Sequence, residues 1–293
     1  MDPVQELKNL KPEKDFFIGI DSDGCVFDTM EIKQKECFCP NVIKHWTLQA
    51  VSKYARETWE FVNLYSTTRG CNRFLALTRF VQLLAEREEV KKRGVDVPQL
   101  PEVRAWTEKE NKLGNPALEK FCAENPDNEE MGRALKWSTS VNACIADMVF
   151  GIPPFPFVKE SLEKMAPGAD SIVVSQTPVE ALTREWDEND IDGYVELICG
   201  QEYGKKSEHL QYGAKGKYPD NKILMIGDAP GDRKAAEANG ILFYPVNPGH
   251  EEASWERFFK EALDRFFEDT YAGEYQEALL KEFEGYLPEN PPW

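Results

Sequence analysis

A strand with no partner nearby opens this chain. The run FFIGI, Phe16–Ile20, is apolar and ends in a turn signal, the pattern of a short buried strand. No comparable run follows for more than a hundred residues. Then strands and helices alternate: SIVVS, VEALTREWDEN, YVELICG, KKSEHLQYGA, KILMIGD, DRKAAEANG closed by Gly240, and ILFYPV. That alternation is the signature of a parallel sheet with helices on both faces. The lone strand has to join this sheet. The expected fold class is therefore α/β, a Rossmann-like parallel sheet, with one α/β domain formed by residues 1–30 plus 153–293 and interrupted by an insert at 31–152.

The insert reads as all-helical. VSKYARETWEFVNLY and NRFLALTRFVQLLAERE place apolar residues at three- and four-residue spacings, and Asn72 stands where the second needs an N-cap. EEMGRALKWSTSVNACIADMVF is a further amphipathic helix, and KKRGVDVPQLPEV between them is a loop broken by Gly and Pro. The segment GIPPFPF, with Pro153, Pro154 and Pro156, cannot continue a helix and marks the return to the core. Beyond Glu251 two more amphipathic helices are expected to pack on the core. Trp46, Trp59, Trp106 and Trp137 are expected in the core of the insert.

Composition narrows the function. The net charge of −17 argues against nucleic acid as a partner, since phosphate backbones need a basic surface. The charge is uneven: 18 basic and 17 acidic residues lie between Glu31 and Phe150, against 17 basic and 35 acidic elsewhere. No apolar run is long enough to span a bilayer, and the N-terminus lacks the basic and apolar regions of a signal peptide. Seven cysteines without CxxC pairs, and three histidines, do not compose a zinc site, and the thiols are expected to be reduced in a cytoplasmic protein. The aromatics of the acidic tail, Trp255, Phe258, Phe259, Phe266 and Phe267, could form a dimer contact but are expected to pack on the chain's own core, and the sequence does not fix the oligomeric state.

In open parallel sheets, ligands bind at the carboxyl ends of the strands. The first strand delivers Asp21 and Asp23 there. SIVVS delivers Ser175, KILMIGD delivers Asp228 with Asp232 one turn on, and Lys205 and Lys206 open the helix after YVELICG. Carboxylates gathered at one edge raise one another's pKa unless a cation balances them. An all-oxygen set suits Mg²⁺, which shares its shell with a substrate phosphate. A lysine and a hydroxyl beside it can hold phosphoryl oxygens, so the set points to phosphoryl transfer.

DSDGCVFDT, VVSQT, the KKSEHL helix start and MIGDAPGD, in that order, resemble the four motifs of the haloacid dehalogenase (HAD) superfamily. The likeness covers roughly residues 14–30 and 155–250, and the insert lies where that family places a helical C1-type cap. The resemblance implies that Asp21 is the nucleophile, forming an aspartyl-phosphate, and that Asp23 is the general acid/base. It implies that Mg²⁺ is bound by the carboxylates of Asp21 and Asp228 and the backbone carbonyl of Asp23, with Asp232 in support. Ser175 and a lysine would hold the phosphoryl group. Lys206 is favoured for that lysine, since Leu210 follows at the family's spacing; Lys205 remains open. Gly24 and Asp28 would shape the loop.

An aspartate two positions beyond the nucleophile goes, in that family, with phosphatases and phosphomutases and not with dehalogenases. The expected partner is a small phosphorylated metabolite. A β-phosphoglucomutase-like sugar-phosphate mutase has the same catalytic set. A phosphonatase would need a Schiff-base lysine in the cap, for which Lys33, Lys35, Lys44 and Lys53 are placed, and a catalytically silent binding protein is the non-enzyme alternative. Arg69 and Arg73 flank a glycine ahead of a helix in YSTTRGCNRF, a candidate clamp for a second anionic group of the substrate.

Overall fold

Five parallel strands form one sheet in the computed structural model of the chain, which describes residues 2–293. They are β1 (Phe16–Ile20), β2 (Ala169–Val174), β3 (Leu197–Cys199), β4 (Ile223–Gly227) and β5 (Leu242–Pro245), in the order β3-β2-β1-β4-β5. The N-terminal run is thus the central strand, with Ile18 in register with Ser171 on one side and Leu224 on the other. Both faces of the sheet are buried, and side chains alternate between them. Ile18, Ile20, Leu224 and Ile226 join the layer that holds Trp186, Trp255, Phe258 and Phe266. Phe17, Ile223 and Met225 join the opposite layer, with Leu7, Leu210 and Phe243.

The helices between the strands follow the sequence pattern: Val179–Asp187 after β2, Lys206–Gly213 after β3 and Pro230–Asn239 after β4. Gly240 ends the last of these in a left-handed conformation, φ 62°, with its N–H on the carbonyls of Ala236 and Glu237.

The described chain forms two compact units. The first is the described part of Met1–Met30 with Gly151–Leu287; the second is Glu31–Phe150 with Pro288–Trp293. In the first unit, the proline-rich joint pairs with the loop after β1. Phe155 N–H donates to Val26 O at 2.9 Å, and Phe27 forms an antiparallel bridge with Pro154. The chain therefore leaves and re-enters this unit at adjoining points.

The second unit is helical and has its own aromatic core. Trp46, Trp59, Trp106 and Trp137 are all buried. Trp46 meets Trp137 edge-on at 5.5 Å between ring centroids, Trp59 meets Phe80 at 5.2 Å and Phe74 meets Trp106 at 5.1 Å. Asn72 caps the helix Arg73–Glu86 by accepting from Phe74 N–H. The chain's last residues depart from the expectation that the whole tail packs on the sheet domain. The helix Glu274–Tyr286 lies in the first unit, whereas Pro288–Trp293 belongs with the second. Pro288 O accepts from Thr67 N–H, Trp293 packs edge-on against Phe61, and the Arg87 guanidinium lies 4.3 Å from the Trp293 ring centroid. Stacking of an arginine on an indole supplies the attraction. Among the described residues, no helix is long and apolar enough to cross a membrane. The seven cysteines are free thiols.

One buried histidine makes the fold sensitive to acid. His209, on the Lys206–Gly213 helix, is fully buried, and burial pulls its pKa down to about 4. As pH falls from about 6.5 towards 4, the unfolded chain takes up a proton that the folded chain does not. Stability present above that window is lost across it. Urea unfolding at pH 6.5 and pH 5 should show a loss of about 2 kcal/mol attributable to this residue, and His209→Gln should abolish that part of the loss. An identical pH dependence in the two proteins would refute the assignment.

Candidate active site

The end of β1 carries its acids to the edge of the sheet. Asp21 N–H still bonds to Ile226 O of β4, so the residue sits in the last rung of the ladder. Its carboxylate is buried, with Oδ1 accepting from Ser22 N–H at 2.8 Å. Beyond it the chain turns through Gly24, at φ 76°, a left-handed conformation that glycine adopts without strain. Two indoles from elsewhere in this unit fix the turn. Trp186 Nε1–H donates to Ser22 Oγ at 3.0 Å, and Trp255 Nε1–H donates to Cys25 O at 2.7 Å. Cys25 thus serves through its carbonyl; its thiol is buried and its pKa is raised, first by burial and then by Asp228 and Asp21. Asp28 is exposed at the end of the turn.

Asp228 follows β4 directly, and Asp232 lies in the first turn of the helix Pro230–Asn239; both are fully buried. A missing side chain makes this possible. A Cβ on Gly227 would lie 2.3 Å from Asp232 Cβ, a separation no real contact tolerates. Asp232 also caps its own helix, its Oδ2 accepting from Ala229 N–H at 3.0 Å. Carboxylate oxygens of Asp21, Asp228 and Asp232 lie within 4.8 Å of one another.

Lys206 answers this crowding. Its Nζ is 2.7 Å from Asp21 Oδ2 and 2.6 Å from Asp232 Oδ1. Burial opposes its charge, but the Asp21 and Asp232 carboxylates outweigh burial, and the lysine pKa is raised. The Asp21 pKa is raised well above the usual carboxylate range, first by burial and then by Asp232, with Lys206 pulling the other way. The lysine's charge is secure; the strain of the cluster falls on Asp21. Lys205 is separated from it. It is exposed at the helix start, and its backbone N–H donates to Glu208 Oε2 at 2.7 Å. The structure therefore brings Lys206, not Lys205, to the acids.

Three carboxylates and one ammonium carry a formal charge of −2, which one divalent cation would balance. The donors are all oxygen and all buried, the set a hard cation such as Mg²⁺ prefers. The residues fit that ion.

Asp23 stands in different surroundings. Its Oδ2 accepts from Thr177 Oγ1–H at 2.7 Å and its Oδ1 from Thr29 Oγ1–H. Ser175, buried at the end of β2, donates its N–H to Cys199 O, and its Oγ accepts from Thr177 N–H at 3.2 Å. That arrangement leaves the Ser175 hydroxyl proton to donate elsewhere. The two threonines were not among the candidate residues. Both lie inside the motifs DSDGCVFDT and VVSQT, and their hydroxyls were the available signal.

The arginine pair is not drawn together as a clamp. Arg69 is buried and donates from Nη1 to Leu64 O at 2.9 Å. Arg73 donates to Ser138 Oγ and Asn142 Oδ1, at 3.0 and 2.7 Å, and lies over the Phe38 ring. Burial lowers the Arg73 pKa to about 10. Both guanidiniums have hydrogen-bond partners within the helical unit. Of the candidate lysines in the helical unit, Lys44 and Lys53 are exposed and Lys35 pairs with Glu31, so these three lack the desolvated setting of a Schiff-base amine.

No protein-family model matches the chain, and no curated protein does. Among solved structures it is similar to a protein provisionally described as a phosphoglycolate phosphatase from Lactobacillus delbrueckii subsp. bulgaricus, with 17% identity, a TM-score of 0.49, and coverage of 84% of this chain and 92% of that one. It is also similar to a haloacid dehalogenase-like family hydrolase from Streptococcus pneumoniae (15%, TM-score 0.43, 84% and 91% covered). A third is a protein provisionally described as a β-phosphoglucomutase from Bacteroides vulgatus (15%, TM-score 0.42, 92% and 96% covered).

Removing the cation that bridges two buried carboxylates should be costly. Lys206→Met is expected to lower the unfolding free energy by about 3–5 kcal/mol, read from urea denaturation. Millimolar Mg²⁺ should raise the melting temperature of the native chain, and Asp228→Asn should abolish that rise. A lysine variant as stable as the native chain would show that the ion pair contributes little.

Proposed function

We propose that the chain is a hydrolase of the haloacid dehalogenase superfamily that releases phosphate from a small phosphorylated metabolite through an aspartyl-phosphate on Asp21, with Mg²⁺ as its cofactor. The observation that carries this reading is the contrast between two carboxylates two residues apart. Asp21 lies in the buried cluster against Lys206, and Asp23 is held by two hydroxyls outside it. Two carboxylates in unlike environments can divide nucleophilic and proton-transfer roles between them.

The proposed reaction proceeds in two displacements. A carboxylate oxygen of Asp21 attacks phosphorus, the ester P–O bond breaks, and Asp23 gives its proton to the departing alkoxide. Water then attacks the phosphoryl group on Asp21 and passes a proton to Asp23. The bond from Asp21 to phosphorus breaks, leaving inorganic phosphate and the free carboxylate. Lys206 and the Ser175 hydroxyl hold phosphoryl oxygens, and Lys206 keeps Asp21 and Asp232 from repelling one another. Asp21, Asp228 and Asp232 would hold Mg²⁺, which supplies charge neutralisation at the phosphoryl oxygens.

The test is hydrolysis of p-nitrophenyl phosphate with and without Mg²⁺, followed by a panel of phosphorylated metabolites. Activity should require Mg²⁺ and fall to background in Asp21→Asn. Asp23→Asn should lose about 10²–10⁴-fold in kcat. Isomer conversion of a sugar phosphate without phosphate release would identify a mutase, and cleavage of phosphonoacetaldehyde a phosphonatase. Equal inertness of the native chain and Asp21→Asn across the panel would overturn the enzymatic reading in favour of a binding protein.

A further inference from the structure

Asp23 is gripped from the loop that follows the neighbouring strand β2. Its own loop supplies one donor, Thr29, to Oδ1; the second donor comes from 154 residues away, where Thr177 Oγ1–H meets Oδ2 at 2.7 Å. We infer that Thr177 is a positioning residue for proton transfer, fixing the carboxyl of Asp23 in the orientation from which it serves the leaving oxygen. The inference rests on the phosphatase reading and adds a residue to it.

The loop that carries Thr177 is built to hold it still. Its N–H donates to Ser175 Oγ, and its carbonyl accepts from Gln201 N–H at 3.2 Å. Gly200 lies so close beneath it that a Cβ there would stand 2.4 Å from Thr177 O. Pro178 follows at the N-cap of the helix Val179–Asp187, with φ at −57°. Backbone and helix entry are therefore fixed before the hydroxyl is considered, so its position relative to Asp23 is set by the sheet. A carboxyl group on its own turns freely about its last torsion. Two hydroxyl donors, one on each oxygen, remove that freedom. The cost of misplacing a catalytic group by about 1 Å can reach about 10²-fold in rate.

The same loop delivers both the Ser175 hydroxyl and the donor to Asp23. The phosphoryl-binding group and the orienting group would thus move as one body. Valine at 177 keeps the branched shape and removes the donor; serine keeps the donor and removes a methyl.

Leaving-group dependence separates this role from a structural one. p-Nitrophenolate departs readily without a proton, whereas the phenolate of phenyl phosphate needs more help from an acid. Thr177→Val, with a thermal midpoint equal to that of the native chain, should lose at least ten times more kcat/KM on phenyl phosphate than on p-nitrophenyl phosphate. Thr177→Ser should restore most of the difference. Equal losses on the two substrates, no loss on either, or a serine variant that behaves like valine would each overturn the inference. The phosphatase reading survives any of these outcomes if the native chain hydrolyses both esters and Asp21→Asn does not. If the native chain hydrolyses neither, the reading and the inference fall together.

Discussion

The Lys206 ammonium, 2.7 Å from Asp21 and 2.6 Å from Asp232, is the contact on which the rest of the site depends. Without it, three buried carboxylates would face one another within 4.8 Å. Like charges so close, out of water, cannot all stay ionised. The lysine is brought there by backbone geometry. Its helix packs on the face of the sheet through Leu210, in the same apolar layer as Phe17 and Met225. Asp232 comes from the next crossover, over a glycine that leaves room for it. Each partner is anchored by a separate strand–helix unit, and the sheet sets their separation. A formal charge of −2 still remains, which one divalent cation would balance.

Asp21 and Asp23 are two residues apart in the chain and have different partners. Asp21 is deep, beside an ammonium and two acids. Asp23 is half-buried and accepts from neutral hydroxyls. The loop that carries the two acids is held by two indole hydrogen bonds, to Ser22 Oγ and Cys25 O, and turns through Gly24 in a left-handed conformation. Trp186 and Trp255 belong to the same buried layer as Ile18 and Ile20, so the loop is anchored to the core of the sheet.

What was legible in the sequence was what local pattern determines. The five strands, three of the insert's helices, the Asn72 cap and the Gly240 terminus follow from periodicity and from residues with one strong preference. The helices Cys39–His45, Pro101–Lys109 and Asn115–Glu124 lay outside the expectation, and residues 101–103, expected as loop, open one of them. The convergence of Asp21, Asp228, Asp232 and Lys206 followed from a topological rule, since parallel strands end at one edge. What was hidden depends on long side chains and on partners far away in sequence. Arg73 reaches Ser138 and Asn142, and nothing near Arg73 announces them. Arg69 donates to a carbonyl, which every residue has. Trp293 finds Arg87 and Phe61, a pairing that no spacing rule could propose. Lys205 and Lys206 were separable in part, because Leu210 follows Lys206 at the spacing the resemblance implies, whereas His209 follows Lys205. Thr177 escaped because a threonine at a strand end is commonplace; its meaning lies in Asp23.

The insertion poses a folding problem that its own composition eases. β1 and β2 pair in register although their partners, Ile18 and Ser171, stand about 150 residues apart. Such pairing is slow to form, since the loop must close before any contact repays it. The helical unit changes the effective length of that loop. It has a continuous core of its own, with four buried tryptophans and helices that follow one another closely in sequence. Local contacts of that kind form early, and a folded insert behaves as a short tether between its ends. Those ends meet at the bridge of Phe27 with Pro154 and the hydrogen bond from Phe155 N–H to Val26 O. The prolines of the joint restrict the backbone at their own positions and just before them. The bridge that closes the excursion lies only a few residues past Asp21 and Asp23, and so the same short segment both joins the sheet domain together and delivers its two carboxylates.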